Sequence, residues 1–331
     1  MTGGLREPRA SGEAPRALPG APAWHRRAAR PSESRERIPY RTKARPNSRW
    51  STQFALLQVG TIPRNGGTGA PPVLAPSVPT ARTRITYLGH ASLLFESDGD
   101  TIVTDPVFSD RIGGFFTKRT SPSTFRPEDL PGIAGVLISH AHHDHLDYPS
   151  LKRVGRTHPF VVPWGLVTPM RMRGFRQVRV LRHWEKLTLG NWEVTAVPSR
   201  HFGGRLPLIY TSGHQGYVLS GPSCIYFAAD TGLNEAMFRE IGRRFRLDLA
   251  VLPIAGAVFP WFRRNHMNSE EALVAFQALG AKRMLPIHFE TFPASFEPAG
   301  DPRRRLVEEA SRRGVSDQVT ILAEEESLYL G

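Results

Sequence analysis

Gly135-Val-Leu-Ile-Ser-His-Ala-His-His-Asp-His-Leu-Asp147 is the stretch on which the reading of this chain turns. It opens with the apolar run Val136 to Ile138, which reads as a buried strand. His140, His142, Asp144 and His145 then fall within six residues. Imidazole nitrogens and a carboxylate oxygen are the donors that a borderline cation such as zinc prefers. His140 and His142 stand two apart at a strand end, so their side chains can leave the same face. Asp144 and His145 follow where the chain must turn, and can face a second ion. The alternative is a polar loop that happens to be rich in histidine. With only 12 histidines in 331 residues, the order H-x-H-x-D-H makes that the weaker reading.

Working outward, other chemistry-bearing residues also stand at the ends of apolar runs. Ile85 to Leu88, Ser92 to Glu96 and Thr101 to Thr104 predict three strands. Asp105 ends the third. It either accepts a hydrogen bond from a ligand histidine and orients it, or simply opens an Asp-Pro turn. His90, between the first two strands, reads as a local hydrogen-bonding residue rather than a ligand. Phe160 to Pro163 and Val178 to Leu181 predict strands around a helix over Trp164 to Arg173. The β-rich run Trp192 to Pro198 delivers Ser199-Arg-His201. Gly203-Gly-Arg205 after it would let a ligand approach the backbone closely.

Gly216 to Ser220 and Cys224 to Ala229 predict a hairpin that ends in Asp230-Thr-Gly232. A carboxylate there could bind metal or cap the helix expected over 234–245. Leu249 to Ile254 is a further buried strand. His266 precedes a helix start, where it could meet a substrate anion or donate a proton. Asn268 and Glu271 spell a capping box for a helix running to Leu279. Met284 to Ile287 delivers His288. Asp301-Pro302 starts a last helix that ends at Gly314. Val319 to Leu322 reads as an edge strand.

The histidine cluster behind an apolar strand resembles the signature of the metallo-β-lactamase superfamily. The longer string Ile138 to Tyr148 is similar to a narrower branch, which holds the phospholipase D that hydrolyses N-acyl phosphatidylethanolamine and its bacterial relatives. A more distant cousin is the L-ascorbate-6-phosphate lactonase. The likeness extends through Leu88-Gly-His-Ala-Ser92, Thr104-Asp-Pro106, Phe227-Ala-Ala-Asp-Thr-Gly232, Trp261-Phe262 and Asn268-Ser-Glu-Glu-Ala272. It spans roughly residues 84 to 330. The stretch from Gly203 to Gly221 is shorter than in the mammalian enzyme.

The resemblance implies an α/β fold, a four-layer αββα sandwich. It also implies a ligand set: His140, His142 and His201 for one metal, Asp144, His145 and His288 for the other, and Asp230 between them. Two Zn2+ are the expected cofactors, with iron or manganese also compatible with thiolate-free donors. Such a pair lowers the pKa of a bridging water, and the hydroxide attacks phosphorus or a carbonyl carbon. Asp144 could also take up a proton late in the reaction, and His266 resembles a histidine that the branch carries.

Composition sets the remaining bounds. A chain of this length can bury a sizeable core. The net charge of +13 is unevenly spread: residues 1–82 hold 14 Lys+Arg against 4 Asp+Glu, and residues 83–331 hold 29 against 26. Residues 1–82 are rich in Pro, Arg, Gly, Ala and Ser and are expected to form a disordered, solvated tail ahead of a hydrolase domain over 83–331. A start assigned too far upstream would account for the same composition. A basic tail could touch nucleic acid or anionic lipid, but the near-neutral body argues against a phosphate-tracking groove, so no specific nucleic acid is expected.

The single Cys224 excludes an intramolecular disulfide and fits a reducing compartment. No apolar run reaches ~18 residues and no secretory signal is evident. A cytoplasmic enzyme, able to sit peripherally at a membrane, is expected. Phenylalanines in Gly113-Gly-Phe-Phe116 could face a greasy substrate or pack their loop down. The expected activity is that of a zinc-dependent phosphodiesterase acting on a lipid-like or small-molecule ester. A lactonase or a hydrolase of small phosphate esters uses the same metals and is the alternative; a nuclease or a metal-stabilised binding module fits less well.

Overall fold

The apolar run ahead of the histidine cluster is a strand in the interior of a sheet. The computed structural model describes residues 83–113, 117–130, 132–205, 212–256, 263–293 and 297–331, all inside one compact unit, Pro72–Gly331. The expected tail, Phe115 and Phe116, and Phe259 to Phe262 lie outside the described residues. The strands are β1 (Thr83–Tyr87), β2 (Leu93–Ser97), β3 (Asp100–Thr104), the short pair β4 (Arg111–Ile112) and β5 (Thr117–Lys118), β6 (Ile133–Leu137), β7 (Pro159–Val162), β8 (Gln177–Val180), β9 (Lys186–Leu189), β10 (Trp192–Val197), β11 (Gly216–Ser220), β12 (Cys224–Phe227), β13 (Leu249–Pro253), β14 (Arg283–Ile287) and β15 (Ser327–Leu330). The helices are α1 (Tyr148–Val154), α2 (Val167–Arg171), α3 (Glu235–Arg244), α4 (Ser269–Leu279) and α5 (Asp301–Arg313).

One sheet runs in the order β15-β1-β2-β3-β6-β7-β8 and the other β14-β13-β12-β11-β10-β9. Strands β3, β6, β7 and β8 are parallel, as are β12, β13 and β14. A parallel strand covered on both faces needs apolar side chains throughout, and β13 is buried at every position. Ile85, Phe95 and Leu137 from the first sheet meet Trp192, Tyr217 and Phe227 from the second in the middle layer. Phe238, Ile241, Phe276 and Leu306 cover the outer face of the second sheet. Leu151, Val154 and Met170 cover that of the first. The result is the four-layer αββα sandwich.

Two expectations need correction. Val319 to Leu322 is not an edge strand: Val319 makes only an isolated bridge to Met284. Its apolar side chains are buried, Val319 and Ile321 against the helical layer and Leu322 in the middle layer, but the pairing to β14 does not extend beyond that bridge and the Thr320 amide bond to the Met284 carbonyl. The edge is β15 instead, whose alternating burial matches a strand with one solvated face. The helix expected over Trp164 to Arg173 is confined to α2: Gly165 (φ 85°) adopts the left-handed region before it, and after Arg171 the chain tightens into a turn, Arg173 N donating to the Met170 carbonyl and Gly174 N to that of Arg171. The capping box formed by Asn268 and Glu271 is present at α4. The helix after Asp230 takes Asn234 as its N-cap, which leaves Asp230 outside the helix.

Candidate metal centre

Strands β1, β3 and β6 point the same way, as do β10, β12, β13 and β14. Their C-terminal ends carry His90, Asp105, His140, His201, Asp230 and His288. After His140 the chain closes a turn in which the amides of His145 and Leu146 both donate to the His142 carbonyl. That turn swings Asp144 and His145 back beside His140. Four non-glycine residues here sit at positive φ: His90 (54°), Asp105 (34°), Ala229 (51°) and His288 (61°). Backbone held in this region by its surroundings is characteristic of a functional site.

The seven residues expected as ligands come together. His142 Nδ1 lies 2.9 Å from His140 Nε2 and 3.2 Å from His201 Nε2. Asp144 Oδ2 lies 3.9 Å from His145 Nε2 and 3.7 Å from His288 Nε2. Asp230 stands between the two groups. Its Oδ2 is 3.7 Å from His140, 3.8 Å from His201 and 3.3 Å from His145, and its Oδ1 is 3.1 Å from His288. His145 Nε2, His288 Nε2 and Asp230 Oδ1 are buried with no hydrogen bond. Buried nitrogen and oxygen atoms that converge without well-directed hydrogen bonds to one another fit cations held at this point. The nitrogen and oxygen donors suit zinc, and equally iron or manganese.

Groups behind the imidazoles fix which nitrogen faces inward. Asp105, fully buried, accepts from the Ser139 amide at 2.7 Å and from Ser139 Oγ at 2.5 Å. The same carboxylate lies 2.8 Å from His145 Nδ1. His201 Nδ1 lies 2.9 Å from the Asn265 carbonyl, which can only accept, so its Nε2 turns to the centre unprotonated. Burial holds His140 and His201 well below the ordinary imidazole range. Burial also acts on His145 and His288, but the Asp230 and Asp144 carboxylates overcome it, raising His145 well above that range and His288 to about 9.

His266 lies among these groups, with Nδ1 3.8 Å from Asp230 Oδ2 and its ring 5.0 Å from that of His201. His90 is the residue that sequence reasoning undervalued. It is buried, its Nε2 is 3.0 Å from Asp144 Oδ2, and its ring lies 4.1 Å from that of His288. With Asp144, His145 and His288 it completes a four-residue group able to hold an ion. Burial and the neighbouring His288 push it down to about 4, so it is neutral and can donate to Asp144. The only sequence signal was its place after an apolar run, within Leu88-Gly-His-Ala-Ser92. Gly203, expected to admit a ligand, instead packs against the Ser212 and Gly213 carbonyls.

Residues 100–289 match the family described as β-lactamase superfamily domain. An N-acyl-phosphatidylethanolamine-hydrolyzing phospholipase D of Caenorhabditis elegans is 32% identical over 252 residues, covering 67% of this chain and 68% of that one. A metal-dependent hydrolase of Exiguobacterium is 32% identical over 240 residues, covering 70% and 95%. The solved structure of a metallo hydrolase from Ignicoccus hospitalis has the same fold, with a TM-score of 0.59 at 23% identity, covering 76% of this chain and 99% of that one.

Proposed function

Because this chain belongs to the β-lactamase superfamily and is a metal-dependent hydrolase within it, we propose that it is a dinuclear-zinc phosphodiesterase acting on a lipid-like ester. One observation carries the dinuclear reading. Asp230 lies between two groups of donors, with Oδ2 near His140, His201 and His145 and Oδ1 toward His288. In this reading His140, His142 and His201 hold one ion, Asp144, His145 and His288 the other, and Asp230 both. Bound there, the two cations supply the charge that activates water and offsets the negative charge growing on the ester.

The chain's own residues do the rest. Asp105 keeps the proton of His145 on Nδ1, and the Asn265 carbonyl does the same for His201. Asp144 is partly open to solvent, so in this reading its carboxylate can receive a proton during the reaction, while its Oδ2 accepts from His90 at 3.0 Å. His266, with its Nδ1 3.8 Å from Asp230 Oδ2, is in this reading the group that donates a proton to the leaving oxygen. The lipid-like substrate is supported by the named activity of the nematode relative and by exposed aromatic surface near the site. Phe202, 47% exposed, lies against His142 and His201. Trp164, 58% exposed, lies near Gly213. These side chains suit peripheral contact with a membrane surface; no helix among the described residues is long and apolar enough to cross one.

The test is release of phosphatidic acid from N-acyl phosphatidylethanolamine in mixed micelles by the zinc-loaded full chain, with His142→Ala as the blank. Turnover lost in that variant is the expected result. No turnover from protein holding about two metals would reject the lipid substrate and shift the reading to lactones or small phosphate esters.

A further inference from the structure

A cationic cluster stands at the lip of the site, on the side of the loop between the ligand residues and α1. The Arg173 guanidinium lies over the Tyr148 ring, 4.2 Å from its centroid, and that of Arg205 lies 5.1 Å from the same centroid. Tyr148 follows His145 by three residues and packs against buried Phe175, 6.3 Å away, so the ring is a fixed platform. Arg205 also donates from Nη1 to the Leu146 carbonyl at 2.9 Å, next to His145. Arg173 donates from Nη1 to the Pro169 carbonyl at 2.9 Å. Each guanidinium is therefore held in place and keeps further N–H donors for another partner.

Charge sets this pair apart from the molecule's ion-paired arginines. Arg153, Arg239, Arg244, Arg303, Arg304, Arg305 and Arg313 each pair with a carboxylate. Among the described residues, neither Arg173 nor Arg205 has a carboxylate within 4.0 Å. Two like charges on one ring, half-buried and unbalanced, form a site for an anion, and guanidinium is the group that binds phosphate or carboxylate with two parallel hydrogen bonds.

We propose that Arg173 and Arg205, clamped on Tyr148, form an anion-binding subsite for a phosphate or carboxylate that the substrate carries away from the bond to be broken. The cluster adjoins the metal-ligand loop, so a substrate could span both. Exposed Phe202, three residues before Arg205 in sequence, lies against His142 and His201, which suits an anion attached to an apolar body. This deepens the hydrolase reading by naming a second feature of the substrate.

The test is a binding measurement that needs no turnover. Zinc-loaded full chain labelled with 15N is titrated with inorganic phosphate while the arginine Nε–H signals are followed, R173Q and R205Q serving to assign them. Both signals should move and saturate. R205Q should weaken the phosphate response of Arg173 by about tenfold, R173Q should do the same to Arg205, and R205K should retain part of the response, since a charge-assisted hydrogen bond carries about that much affinity. Phosphate that perturbs the zinc ligands but leaves both arginine signals still would overturn the proposal. So would an unchanged Arg173 response in R205Q. A parallel titration with dihexanoyl phosphatidic acid below its micelle concentration separates the two sources of the anion. Tighter binding than phosphate assigns it to a lipid headgroup, and equal binding to a small phosphate ester. Failure of the protein to hydrolyse any ester would count against the hydrolase reading and leave this titration unaffected.

Discussion

At the scale of single residues, the centre depends on protons being on the correct nitrogen. Asp105 accepts three hydrogen bonds, two from Ser139 and one from His145 Nδ1. In Asp105→Asn the oxygen can still serve the Ser139 amide, but the new NH2 faces His145. His145 must then accept at Nδ1 and carry its proton on Nε2, pointing at Asp230. The expected result is a 10- to 100-fold loss of affinity for one of two zinc equivalents, read by competition with a chromophoric chelator. Two equivalents bound as tightly as before would show that Asp105 has no part in orienting His145. The contrast between Asp105 and His90 also shows what a sequence can tell at this scale. His140, His142, Asp144 and His145 were legible because six residues hold all four. Asp105 could be named a candidate from its place at a strand end, but not separated from a turn residue. His90 reads in sequence as a local hydrogen-bonding residue, but its partner Asp144 lies 54 positions away, and no local pattern encodes that meeting.

At the scale of elements, α4 carries a prediction with a defined magnitude. Asn268 Oδ1 accepts from the Glu271 amide at 2.8 Å, and Glu271 Oε2 accepts from the Asn268 amide at 3.2 Å. The helix they cap buries Leu273 and Phe276 on the second sheet. Asn268→Ala should cost about 1 kcal/mol, seen as a lower urea midpoint with zinc stoichiometry unchanged. An unchanged midpoint would mean the N-terminus of α4 is held by its packing rather than its cap. This cap was legible because its two residues are three apart. So were the apolar strands β6, β13 and β14, whose burial on both faces demands unbroken hydrophobic runs. The element at residues 319–322 was misread for a related reason: an apolar run states that side chains are buried, not that the backbone pairs. Strand β9 was missed because Lys186-Leu-Thr-Leu189 is half exposed and short. The αββα arrangement itself rested on family resemblance, since no periodicity says which strands share a sheet.

At the scale of the whole molecule, the centre joins the two sheets. His140, His142, Asp144 and His145 belong to a loop of the first sheet, and His201, Asp230 and His288 to loops of the second. Cations bound there therefore stabilise the sandwich as well as the chemistry. Metal at a hundred times its dissociation constant adds about 2.7 kcal/mol. For a folded body of this size, that corresponds to a fall in Tm of roughly 5–10 °C on chelation, reversed by added zinc and measured by scanning calorimetry. The electrostatics of the metal-free centre predict how many protons the zinc must displace. Asp230 and Asp144 hold His145 and His288 above the ordinary imidazole range, the latter at about 9, so both are protonated at pH 7. His140 and His201 are depressed by burial and are already neutral there. Ligation through Nε2 requires the neutral ring, so zinc uptake at pH 7 should release about two protons, and fewer as pH rises past 9. Calorimetric titrations of zinc in buffers of different ionisation enthalpy measure this directly. An apparent enthalpy independent of the buffer would mean that no protons leave, and that the carboxylates do not hold His145 and His288 charged.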